Sequence, residues 1–136
     1  MKLVGGRIIK IQGTRASDKP HENLNIGVNI DGVRSENKKL VVGYTIRNAY
    51  EPSVAELMVS GEFFYEVDEK KLKEVVDEWN KEKTLDLSVT EEALNAANYA
   101  MGAVGTLLAF GLGLPAPINT PRTKVTKENT NQSKAS

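Results

Sequence analysis

His21 is the only histidine of the chain, beside Pro20 and Glu22, and an imidazole that acts as base or metal ligand needs a second group to complete the site. No cysteine exists to supply one, so thiolate catalysis, disulfides and sulfur-bound metal are excluded. Glu56, Glu62 and Glu66 can share one side of a strand, and paired carboxylates do acid and base work when burial splits their pKa values. Here they alternate with apolar residues as a solvated sheet face does. Gly5-Gly6 precedes a strand and no helix, so it lacks the context of a phosphate loop and reads as a flexible start. The expectation is a protein without catalytic residues, metal or cofactor.

Charge narrows the partners further. Lysine and arginine number 18, aspartate and glutamate also 18, and no basic run tracks phosphates, which argues against nucleic acid. Gly5, Gly6 and Arg7 break the first apolar stretch, so it has no signal-peptide core and a cytoplasmic setting is expected.

The elements that must carry any function follow from periodicity. A first strand is expected over Arg7–Arg15. Leu24, Ile26, Val28 and Ile30 then alternate with polar residues and glycine, and Asp31-Gly32 starts a polar connection through Lys39. Leu40, Val42, Tyr44 and Ile46 form one side of a third strand. Ala55, Leu57, Val59, Phe63 and Tyr65 form one side of a fourth, beyond the turn at Glu51-Pro52-Ser53. Short connections favour pairing of consecutive strands. At Asp68 the period becomes helical: Leu72, Val75, Val76 and Trp79 mark a short amphipathic helix that Asp68 caps and Trp79 anchors. Ser88 and Glu91 have the spacing of a capping box, starting a long helix to about Phe110 that Gly111, Gly113 and Pro115 end. The fold class is α+β, a four-stranded antiparallel sheet with both helices on one face. One domain is expected over residues 1–123, with 124–136 a polar tail.

No charge lies between Glu92 and Arg122, and Tyr99–Leu114 is almost wholly apolar or small. These sixteen residues would span roughly 24 Å as a helix, against a hydrocarbon core of about 30 Å, so burial in protein is favoured over a membrane span. One sheet face hides only about half of such a helix. Either its own domain wraps it, or a second copy covers it through Ala93, Ala96, Ala97, Ala100, Met101, Ala103, Val104 and Leu108, whose small size and near-heptad spacing suit close helix packing.

Two motifs within this order of elements resemble the SecB family of export chaperones. Gly61-Glu62-Phe63 resembles the glycine and phenylalanine that close the family's fourth strand. Gly113-Leu114-Pro115-Ala116-Pro117-Ile118-Asn119-Thr120-Pro121 resembles its proline-containing segment after the long helix. The resemblance spans about Arg7 to Val125 and implies a homo-oligomer, dimer or tetramer, that binds unfolded polypeptides in apolar grooves. Tyr44, Met58, Phe64, Leu114 and Ile118 are the client contacts it suggests. Met58 and Phe64 also stand out because they sit among glutamates on the wetter side of strand four. The chain departs from the family in being neutral, and in having a polar stretch, Lys124–Ser136, where the family has a final helix. Docking on a translocation motor is therefore not carried over, and an adaptor or regulator with one folded partner is the alternative to a chaperone.

Overall fold

The computed structural model describes residues 1–117 of the chain. Ile118 and the expected tail lie outside the described residues. Asn37 and Lys38 both hold positive φ, 52° and 63°, the left-handed two-residue turn whose twist suits a hairpin. Across it β2 (Asn23–Glu36) folds back on β3 (Lys39–Glu51). The second turn, with a cis Glu51–Pro52 bond and Ser53 at φ 49°, leads to β4 (Ala55–Glu66). The hairpin turn therefore comes six residues later than Asp31-Gly32, which a bulge between Ile30 and Gly32 absorbs into β2.

The first strand departs most from expectation. β1 runs Lys2–Arg15 and pairs with β4, giving the order β1-β4-β3-β2, all antiparallel. Consecutive pairing of β1 with β2 is thus wrong. Residues 16–22 instead cross the sheet end, where the Ala16 and Ser17 amides donate to the Val54 carbonyl (2.8 and 3.2 Å) and Glu22 donates to Glu51 (2.7 Å). Three hairpin-linked strands plus one brought back by a longer connection make a Greek key. Gly5-Gly6 is part of β1 and not a loose start. A Cβ on Gly6 would come within 3.0 Å of the Glu62 carbonyl and the Phe63 ring.

Both helical elements cover one sheet side, as the alternation predicts. Leu40, Val42, Tyr44, Ile46, Leu57, Val59 and Tyr65 are fully buried there, and Leu24, Val28 and Phe63 pack against them. Each such side chain contributes about 1.5–3 kcal/mol by leaving water. α1 (Glu69–Glu82) starts at Asp68, whose carboxylate accepts from the Lys71 amide (2.8 Å), and it buries Leu72 and Val75 beside Trp79. α2 (Leu87–Ala100) begins one residue earlier than expected. Ser88 makes no capping box. Its hydroxyl donates to the Asp86 carboxylate, which also accepts from Lys71 Nζ (3.1 Å) and so ties α1 to α2.

The buried residues of the long helix are Val89, Ala93, Ala97, Met101, Gly105 and Ala109, a step of four. A regular α-helix turns about 100° per residue, so steps of four would drift about 40° each and carry the last residues off the sheet. A wider π-helical turn at Met101–Gly105, leading into α3 (Thr106–Gly111), offsets part of that drift. Gly113 (φ 70°) and a bond from the Leu114 amide to the Ala109 carbonyl (2.8 Å) close the helix. Arg15 Nη1 caps it from β1, donating to the carbonyls of Leu112 (2.7 Å) and Gly113 (2.9 Å).

Candidate functional site

Cross-strand partners share a face of the sheet, so register locates the surface that the helices leave open. Leu3 pairs with Tyr65, Ile8 with Gly61 and Ile11 with Val59. These aliphatic residues therefore belong to the helix side, yet all three are about half exposed. Val4 and Ile9, at the two register shifts of β1, are exposed as well. The helix adds a second apolar border. Tyr99 (82% exposed), Leu107 and Phe110 face solvent along with Ala103, while Leu108 and Leu112 turn inward to Gly13 of β1. The edge strand and the outward side of the helix thus each leave apolar side chains open to solvent. Exposed apolar area of this kind marks an interaction site.

The other outer strand, β2, presents a narrower row. Leu24, Val28 and Ile30 are half-buried and Ile26 is 37% exposed on the helix side. Next to Ile26 in register lies Asn48, only 1% exposed in an otherwise apolar surround. Among the described residues its Oδ1 has no hydrogen-bond partner.

The expected client contacts do not form one surface: Tyr44 and Leu114 meet in the core, and Met58 and Phe64 share the other sheet face. Tyr44 is buried, stacked on Phe63 with ring centroids 4.5 Å apart. Leu114 is buried in the same cluster, with the neighbouring Pro115 carbonyl accepting from the Tyr50 hydroxyl (2.6 Å). Met58 and Phe64 lie on the opposite sheet face, Met58 buried and Phe64 half-buried. Ile118 is outside the described residues. Of the proposed helix contacts, Ala93, Ala97 and Met101 face the chain's own sheet, Ala96, Ala100, Val104 and Leu108 are half-buried, and Ala103 is exposed. Leu3, Ile8, Ile11, Tyr99, Leu107 and Phe110 went unrecognised. For the last three the signal was available, since Tyr99, Ala103, Leu107 and Phe110 are spaced four, four and three residues apart.

The opposite face is polar and internally paired. Glu62, nearly buried, accepts from Arg7 Nε (3.0 Å) and from Arg34, which also reaches Glu36 (3.2 Å). The Arg34 hydrogen bond first, and Arg7 second, hold its carboxyl below the usual range. Thr45 donates to Asp31 (2.6 Å) and meets the Ser60 hydroxyl (2.9 Å). A hollow of about 370 Å³ over Gly32 and Gly43 is bordered by polar Asp31, Arg34, Ser60 and Glu62 and by apolar Ile9, Val33, Tyr44 and Trp79. His21 packs edge-on against Tyr50 at 5.0 Å. Among the described residues no cluster could hold a metal ion, and no helix is long and apolar enough to cross a membrane.

The strand order, the long helix on one face and the proline segment behind it together define a SecB-like α+β fold. No protein-family profile and no curated protein sequence matches the chain. Among solved structures it is similar to the SecB-like chaperone Rv1957 of Mycobacterium tuberculosis, determined in complex with a ChAD peptide from the HigA1 antitoxin Rv1956. The two are 14% identical, with a TM-score of 0.51 over 85% of this chain and 82% of that one.

Proposed function

We propose that this chain is a SecB-fold chaperone that works as a homo-oligomer, binds polypeptides in extended form along β2, and catalyses no reaction. The open row on β2 carries the reading. An outer strand whose main-chain edge is free among the described residues, with Ile26 exposed between half-covered aliphatic neighbours, offers backbone pairing together with apolar contact. The fold likeness to a chaperone solved with a peptide supports it. The exposed apolar residues of β1 and of the outer helix, Tyr99, Leu107 and Phe110, are assigned to a second copy, because an uncovered apolar edge strand and an exposed apolar helix row are aggregation hazards in a monomer.

The alternative is an adaptor dedicated to one partner. The interlocked Arg7–Glu62–Arg34–Glu36 face favours it, since fixed charges of both signs discriminate between partners more than they add affinity. Suppression of aggregation of several unrelated denatured proteins at micromolar concentration is the expected result for a chaperone. Failure with all of them, alongside tight binding of one folded protein recovered by crosslinking, would establish the adaptor instead.

A further inference from the structure

We propose that Asn48 reads the main chain of the bound polypeptide, an inference that rests on the polypeptide-binding reading above. Asn48 is 1% exposed, it sits between Ile46 and Tyr50 on the buried side of β3, and its cross-strand partners are Ile26 and Leu57. An apolar side chain would fill this place without a polar cost. The amide instead leaves Oδ1 unpaired among the described residues, and an unpaired buried acceptor bears its full desolvation penalty. A carboxamide offers one acceptor and two donors, the complement of a peptide group, and carries no charge with which to select side chains. That chemistry suits a ligand recognised by its backbone.

Access runs through the neighbour. Ile26, beside Asn48 in register, is 37% exposed, so the helix-side surface opens one strand away from the amide. Leu114 shares the core cluster of Tyr50, two residues along the same side of β3, and the segment it opens is latched by the Tyr50 hydroxyl on the Pro115 carbonyl. Pro115 and Pro117 have no N–H to give. A client residue carries an N–H with which to meet the Asn48 side-chain carbonyl oxygen, provided the segment yields.

The test uses the full chain and two labelled peptides of one alternating Val/Thr sequence, one of them N-methylated at every second residue. Reduced, alkylated α-lactalbumin serves as a general client. Wild type should bind the unmethylated peptide about tenfold more tightly than the methylated one. Asn48→Leu should narrow that preference several-fold, to the part that pairing with β2 supplies, while melting at or above the wild-type temperature, and Asn48→Ala serves if the leucine does not fit. Tyr50→Phe, which frees the segment, should tighten unmethylated peptide in the wild-type background only. An unchanged preference in both Asn48 variants would overturn the role of Asn48 and leave the polypeptide-binding reading intact. A wild type that binds neither peptide nor lactalbumin would overturn both.

Discussion

The Tyr44 phenol lies across Gly61, its oxygen 2.9 Å from where a Cβ on that glycine would stand, and the Arg7 carbonyl presses closer still from β1. Gly61 is thus bare because the bulged edge strand and a core tyrosine both use its space. Gly61→Ala must push β1 from β4 or turn Tyr44 off Phe63, at about 1–3 kcal/mol. A urea midpoint lowered accordingly, with hydrogen exchange loosened first in residues 7–10, is the expected outcome.

Helix substitutions should split by face. Ala97 is sealed against the sheet, so Ala97→Glu buries an unpaired charge and costs about 3–5 kcal/mol, unfolding the subunit. Ala103 is exposed, so Ala103→Glu should keep the monomer's circular dichroism and melting while dissociating the oligomer. Sedimentation velocity distinguishes the two, and a wild type that stays monomeric at all concentrations would remove the second-copy assignment.

Acid should act through Glu62. Its folded-state pKa is depressed below the ordinary 4.5, so its ion pairs stabilise fully above that value and are lost as pH falls through the folded one. Arg7 and Arg34 are about half exposed, which limits the effect to about 1 kcal/mol. Glu62→Gln should flatten the acid limb of a stability-versus-pH curve and leave the curve above neutrality parallel to wild type.

Alkali should act through Tyr65, pushed up to about 12 chiefly by burial, with the negative charge of Glu92 adding to it. Its neutral form stabilises the fold fully below pH 10, and the contribution is lost between there and about pH 12 as the unfolded chain ionises first. Its hydroxyl has no partner among the described residues. Tyr65→Phe should be neutral or stabilise by up to about 1 kcal/mol, and should move the alkaline unfolding midpoint upward.

Local alternation made β3, β4 and the helix-covered face legible, because Leu40–Ile46 and Leu57–Tyr65 each put a clean apolar row on one side. Asp68 announced α1 by its type and position. What escaped was non-local. Nothing near Ile8 or Ile11 indicates that β1 seeks β4, so their exposure on the helix side was invisible, and Gly5-Gly6 read as a loop because the Phe63 ring that crowds Gly6 is distant in sequence. On the long helix, near-heptad spacing groups Ala97 and Met101 with Leu108, whereas the steps of four through the π-helical turn place Ala97 and Met101 on the chain's own sheet and leave Tyr99 and Leu107 exposed.

The placement of β1 beside β4 sets an order in time. Its register partners lie 40 residues away at Arg15–Ala55 and 64 at Lys2–Glu66. At a synthesis rate of about 5–20 residues per second, the isoleucine-rich strand leaves the ribosome roughly 2–13 s before the strand that will pair with it exists. The β2–β4 meander can close on its own while β1 waits. During that interval the nascent chain carries an extended, apolar, unpaired segment, exposed until β4 emerges to cover it.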